Sequence, residues 1–435
     1  MSPALTAAII MASVLTVLLI LAVPIAVSIG ISAAVAMMVI LPTGVALQTS
    51  AQKMFTGISS FALLAIPFFI LAGNIMNNGG ISVRLVNCAK LISGRLPGSL
   101  AQTNVVANMM FGAISGSGAA AAAAIGSTMN PIEEKEGYAK DYYCSVNAAS
   151  APTGMLIPPS NTMIVYATVA GSVSVAALFM AGYVPGILWG LAVMLVAGYM
   201  AKKRGYVSYE RIGLRQAVKI LFDATPSLGL IVVVIGGILK GVFTATEGAA
   251  IAVVYALALS FCYRTISVRD LPRIILDSCR MTCIVLLMVS VSAIMSWVMA
   301  FTNIPTIIAN AMLSVSENRY VIMLMLNVIL LLVGCFMDVT AAVLIFTPIF
   351  LPIVVTLGIH PVHFGIILTF NLGIGAITPP VGTILFTACK VANASIEEVI
   401  GTMMPYFAAI IAVLMLVTYV PDLAMYLPRA LDVVK

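Results

Sequence analysis

Pro158-Pro159-Ser160-Asn161-Thr162 interrupts an otherwise apolar run, and Pro379-Pro380-Val381-Gly382-Thr383 occupies the matching place 221 residues later. Each Pro-Pro pair removes two backbone donors and leaves upstream carbonyls without helical partners. A proline kink would explain one copy. Two copies at one offset point to a broken membrane span that the chain repeats. The same offset superimposes Pro131-Ile132 on Pro352-Ile353 and Gly154 on Gly375.

The surroundings of these breaks set the solvent. Of 435 residues, 62% are hydrophobic and 8% are charged, whereas soluble domains carry roughly a quarter charged residues. Apolar runs of the length that crosses a hydrocarbon core of ~30 Å recur throughout. They predict ten spans near 4–22, 24–42, 54–77, 142–168, 176–200, 220–239, 245–263, 281–301, 363–389 and 402–420. The charge-free run from Ala4 to Gln48 is too long for one crossing and must fold back near Pro24.

Two further apolar stretches, 96–131 and 318–353, are interrupted by Ser115-Gly116-Ser117-Gly118 and by Met337-Asp338-Val339-Thr340. They read as re-entrant helical hairpins. Non-helical backbone at membrane depth is tolerated only where protein or a water-filled cavity surrounds it. With both treated as hairpins, 16 basic residues, among them Lys140, Lys202, Lys203, Arg204 and Arg211, fall on one side. The other side keeps five, Lys53, Lys240, Arg319, Arg429 and Lys435. By the positive-inside bias the first side is cytoplasmic and both termini lie outside. The first span has no basic flank before it and no small-residue cleavage site after it, so it is expected to be retained.

Each repeat, 1–212 and 213–435, then holds five crossings, and an odd number makes the second enter from the opposite face. The expected fold is an all-α polytopic membrane protein, an inverted repeat of two five-span halves. Each half has a re-entrant hairpin (96–131; 318–353) and a broken span (142–168; 363–389). Inverted repeats of this kind place substrate and ion sites near the midplane, where half-helix N-termini offer N–H dipoles and unwound backbone offers carbonyls.

The candidate site follows from the breaks. Ser115, Gly116, Ser117 and Gly118 combine permissive backbone with hydroxyls that ligate a cation or donate to a carboxylate; the plainer reading is a small-residue helix contact. Around Pro158 and Pro379 lie Ser160, Asn161 and Thr162, then Gly375, Thr378, Gly382 and Thr383, with Asn147 and Asn371 earlier on the same spans. Such neutral oxygens suit sodium. Asp338, beside Thr340, is the carboxylate placed deepest in the membrane, where it would ligate a cation, cap a half-helix or face water. Glu247, Asp223 and Asp277 lie nearer span ends and stay outside the site. No Lys or Arg lies mid-span, so an anionic substrate would rely on dipoles, bound sodium, hydroxyls and amides. His360 and His363 read as loop histidines at the start of a span, and the seven cysteines as core-packing thiols.

Other function classes fit less well. A net charge of +6 is explained by the membrane-flanking bias without nucleic acid. There is no His-Glu-x-x-His pattern and no cluster of intramembrane carboxylates, against an intramembrane enzyme. Paired broken helices suit alternating access better than a channel.

End to end, the sequence resembles the large membrane (M) subunit of tripartite ATP-independent periplasmic (TRAP) transporters, the DctM-like family of the ion-transporter superfamily. The segments that carry the resemblance are Pro67-Phe68-Phe69-Ile70-Leu71-Ala72-Gly73, Gly112 to Ala120, Ile157 to Ser160, Gly334-Cys335-Phe336-Met337-Asp338 and Ile377 to Gly382. The resemblance implies an elevator-type carrier of the bacterial inner membrane, driven by Na+ bound at the hairpin tips and broken spans. It also implies two partners: a small four-span membrane subunit, and a soluble periplasmic binding protein that delivers a carboxylate such as a C4-dicarboxylate, a sugar acid or sialic acid. A stand-alone sodium–carboxylate symporter of the same superfamily is the alternative.

Overall fold

The computed structural model describes residues 3–21, 23–206, 213–316 and 318–434. Arg211 and Lys435 of the charge count, the end of the first predicted span at Ala22 and the predicted repeat boundary at Ile212 lie outside the described residues.

The described residues form helices and no strands. In chain order these are α1 (Pro3–Ile20), α2 (Ile25–Ile40), α3 (Thr43–Ile58), α4 (Ala65–Asn78), α5 (Ile81–Ser93), α6 (Ser99–Ser115) and α7 (Gly118–Lys135). The first broken segment follows as α8 (Lys140–Ser150), α9 (Thr153–Leu156) and α10 (Asn161–Ala170), and then α11 (Val175–Arg204). The remainder is α12 (Leu214–Leu239), α13 (Ala245–Cys262), α14 (Leu271–Phe301), α15 (Ile304–Val315), α16 (Arg319–Gly334), α17 (Val339–Thr356), α18 (Pro361–Gly375), α19 (Thr383–Ala392), α20 (Ile396–Tyr419) and α21 (Asp422–Ala430). Among the described residues, seven helices are long and apolar enough to cross a membrane.

Helix boundaries keep the offset of the sequence repeat. α7 and α17 begin at Gly118 and Val339, α8 and α18 at Lys140 and Pro361, and α11 and α20 at Val175 and Ile396, each pair 221 residues apart. The two Pro-Pro peptides, Pro158-Pro159 and Pro379-Pro380, are both cis.

Glycines set how closely the hairpins approach the broken segments. A Cβ on Gly112 of α6 would overlap the backbone of Gly154 in α9, and a Cβ on Gly375 of α18 would overlap that of Gly334 in α16. Lipid gives helices little hydrophobic reason to associate, so close backbone packing and interhelical hydrogen bonds hold such contacts. Trp189 of α11 is fully buried and donates from Nε1 to the Ala149 carbonyl at 2.8 Å. It is a packing residue of the bundle.

The structure departs from the sequence reading where polar breaks are short. The run 54–77 is divided: α3 ends at Ile58, a 3-10 turn covers Phe61–Leu64, and α4 starts at Ala65. Ser59 returns its Oγ to the Phe55 carbonyl at 2.8 Å, a local bond that competes with helix continuation. Its partner by offset, α14, stays a single helix of 31 residues. Cys262, Cys279 and Cys283 lie exposed on their helices and do not pack in the core, while Cys88, Cys144 and Cys389 are buried. His363 is also buried, its Nε2 bonded to the Val417 carbonyl at 2.8 Å, and so is not a loop residue.

Candidate functional site

The first hairpin tip forms because glycine and serine end one helix and begin the next. α6 closes on Gly116 at φ +64°, a left-handed conformation that costs glycine least. Ser117 is extended and caps α7, its Oγ accepting from the Ala120 amide at 3.4 Å. Beside it, Ser160 caps α10 by accepting from the Met163 amide at 3.3 Å, and its hydroxyl donates to the Met155 carbonyl at 2.6 Å. The Asn161 amide donates to the Gly116 carbonyl at 3.3 Å, which ties the tip to the start of α10. The N-termini of α7 and α10 therefore meet, and both present N–H groups and positive dipole ends.

The second tip is built alike with a different cap. Asp338 caps α17, accepting from the Thr340 amide at 2.9 Å on Oδ1. The Val381 amide donates to the Cys335 carbonyl at 3.1 Å, joining this tip to its broken segment. Gly382, at φ +32°, turns the chain into α19.

Both tips open on one cavity of about 240 Å³. Of the residues expected in the site, the structure brings Ser115, Gly116, Ser117, Gly118, Asn161, Thr162, Asp338, Thr340 and Thr383 to its lining. The Oδ1 atom of Asn161 is buried and has no hydrogen-bond partner among the described residues. Hydroxyls, an unpartnered amide oxygen and a carboxylate are hard donors that fit a small cation, and the helix N-termini fit an anion. Among the described residues, no Lys or Arg lines the cavity.

The other expected residues do not line it. Asn147 is buried, donating to the Ala122 carbonyl at 2.9 Å and accepting from Asn108 at 3.0 Å. Asn371 donates to Asn327 Oδ1 at 2.7 Å and to the Ile367 carbonyl at 2.8 Å. Thr378 bonds back to the Ile374 carbonyl at 2.7 Å. Gly375 packs on Gly334, Ser160 supports α10 from beneath, and Pro158, Pro379 and Gly382 shape the chain around the break without reaching the cavity.

The facing wall was not legible in the repeat. It comes from α4 and α14, chiefly Ile66, Ile70, Asn74, Met281, Ile284 and Met288. Asn74 donates to Ser278 at 2.8 Å, joining the two helices. Its one sequence signal was an amide directly after the Pro67 to Gly73 segment.

At the end of the broken segment distant from the tips, Asp141 receives Arg204 Nη1 at 3.0 Å and Nη2 at 2.6 Å, and Thr402 Oγ1 at 2.6 Å. The Arg204 guanidinium holds this carboxyl below the usual range. The cluster fastens α8, α11 and α20 together.

Comparison with known proteins agrees with this architecture. A family described as "Tripartite ATP-independent periplasmic transporter, DctM component" matches residues 12–423. The chain is 54% identical over 393 residues to the uncharacterized protein YgiK of Salmonella typhimurium, covering 90% of each chain. It is 38% identical over 403 residues to the C4-dicarboxylate TRAP transporter large permease protein DctM of Rhodobacter capsulatus, covering 89% of this chain and 92% of that one. The crystal structure of the YdaH transporter of Alcanivorax borkumensis shares the fold at a TM-score of 0.59 and 15% identity, over 87% of this chain and 88% of that one.

Proposed function

Because the chain belongs to the family of tripartite ATP-independent periplasmic transporters as its DctM component, we propose that it carries a small organic acid across the bacterial inner membrane, driven by Na+. The observation that supports this most is the meeting of both hairpin tips and both broken segments around one cavity. Na+ is bound by Ser117, Asn161, Thr162, Asp338 and Thr383 together with carbonyls of the unwound segments, and Asn161 Oδ1 is a ligand in want of a partner. The acid's carboxylate meets bound Na+ and the N–H groups of α7, α10, α17 and α19. The C4-dicarboxylate permease among the relatives supports a carboxylate as cargo.

The residue repeat 1–212 and 213–435 supports an inverted two-half plan with alternating access. An elevator motion fits the contrast between the polar tips and the mostly apolar wall of α4 and α14, which offers few bonds to break as one surface slides past the other. The partners in this reading are a small four-span membrane subunit and a soluble periplasmic binding protein. Both termini are periplasmic, and Lys140 and Arg204 face the cytoplasm.

The test is uptake of labelled C4-dicarboxylates, sugar acids and sialic acid into proteoliposomes holding the chain with its small subunit and a binding protein. Uptake should follow an imposed Na+ gradient and stop when the gradient is collapsed. Na+-independent uptake would refute the coupling, and uptake by the chain alone would favour a stand-alone symporter.

A further inference from the structure

Glu133, near the end of α7, is fully buried, and it is the one buried Asp, Glu, Lys or Arg among the described residues. It lies beyond the predicted hairpin and takes no part in the cavity. Among the described residues, the only hydrogen-bond partner of its carboxyl is Asn104 of α6, whose Nδ2 donates to Oε2 at 3.3 Å, while Oε1 has none. It makes no ion pair within the described residues. The titratable groups that face it are Tyr138, Tyr142, Tyr143, Cys144 and Tyr406, all neutral at pH 7. Of the basic residues on neighbouring helices, the half-buried Lys90 of α5 is held below the usual lysine range by burial, with Glu136 opposing that shift, and Lys390 of α19 lies at the cavity-distant end of its own helix.

Several polar atoms nearby are buried without a partner among the described residues. Asn130, one turn before Glu133 on the same face of α7, is buried with both Oδ1 and Nδ2 unpartnered. Asn108 Oδ1 is unpartnered as well. Among the described residues, Glu133 Oε1 and the Tyr138 and Tyr406 hydroxyls that face it are likewise buried without a partner. A carboxylate would add negative charge to this set, at a cost of several kcal/mol where no cation offsets it, whereas a carboxylic acid is neutral and both donates and accepts. Asn104 Oδ1 accepts from Asn108 Nδ2 at 2.9 Å, and that nitrogen lies 3.0 Å from Asn147 Oδ1 and 2.8 Å from Ser150 Oγ. An unbroken polar chain therefore runs from Glu133 to the first broken segment.

We propose that Glu133 is a proton-binding site, held as the neutral acid at neutral pH, whose deprotonation places an uncompensated charge at one end of the chain through Asn104 and Asn108 to Asn147 and so weakens the first broken segment. The ligand is a proton, and the site is separate from the cavity between the tips. Folding that raises a carboxyl's proton affinity contributes stability at low pH that is lost as pH rises through the folded-state value. The protein should accordingly lose thermal stability toward alkaline pH.

Infrared spectroscopy tests this on the full chain in lipid. With 13C-labelled glutamate, the wild type should display the carbonyl stretch of a protonated glutamic acid at pH 7 that fades at alkaline pH, and Glu133→Gln should lack it while its melting temperature stays level across the same pH range. Absence of the labelled band from the wild type at pH 7, or its persistence in Glu133→Gln, would overturn the proposal. Should that variant fail to fold, the labelled Glu210→Gln/Glu317→Gln double variant decides by keeping the band or losing it, because the other described glutamates are exposed.

Discussion

The Asn161 amide donates to the Gly116 carbonyl at 3.3 Å, so the tip of the first hairpin and the restart of the first broken helix are one unit. Val381 and Cys335 repeat the relation at 3.1 Å in the second set of breaks. These two bonds position the caps Ser117 and Asp338 on a common cavity, and the consequences below depend on that placement.

The glycine contacts beneath the tips are predicted to be intolerant of any side chain. Gly112→Ala and Gly375→Ala each push a methyl into the opposing backbone, an overpacking that costs about 1–3 kcal/mol. Thermal unfolding in detergent should register the loss in both variants. Gly401→Ala, inside α20 where nothing lies within 4 Å, should not lower the unfolding temperature.

Asn371 should matter for stability and leave ion affinity alone. It holds Asn327 across α16 and α18, and Asn327 in turn donates to Thr418 of α20 at 3.0 Å. Asn371→Ala strands buried polar atoms at a cost of about 1–3 kcal/mol. Melting temperature should fall while the Na+ concentration for half-maximal uptake holds; a shift in that concentration with normal stability would place Asn371 in the ion site.

The Asp141 cluster predicts an acid-side effect. Since Arg204 holds the folded-state carboxyl below its usual value, the contribution is present above that usual value and is lost as pH falls through the folded one. Asp141→Asn should destabilise the protein at neutral pH and converge with the wild type in strong acid. Thermal unfolding followed from neutral to acidic pH checks it, and a constant difference at every pH would contradict the assignment.

The breaks and the hairpins were legible in the sequence because proline and glycine act locally: Pro158-Pro159 must interrupt a helix wherever it sits, and Gly116 must turn one. The division of 54–77 at Ser59 was not, because a serine that bonds its own helix leaves the average apolarity of the run unchanged. The α4 and α14 wall escaped for another reason. Ile70 and Met288 are ordinary membrane residues until tertiary packing sets them opposite Asp338. Asn147 and Asn371 were placed in the site by their proximity to the breaks along the chain, yet they point into helix interfaces, a distinction that only side-chain direction makes.

The central claim is that Asn161 and Asp338, brought to one cavity from two breaks, bind the driving ion. The most direct measurement is the Na+ dependence of uptake by the reconstituted complex for the wild type, Asn161→Ala and Asp338→Ala, each verified as folded by its melting temperature. Removing one charged or amide ligand of about 1.5–3 kcal/mol predicts a rise of roughly 10-fold or more in the Na+ concentration for half-maximal uptake. Unchanged Na+ dependence in both folded variants would contradict the account.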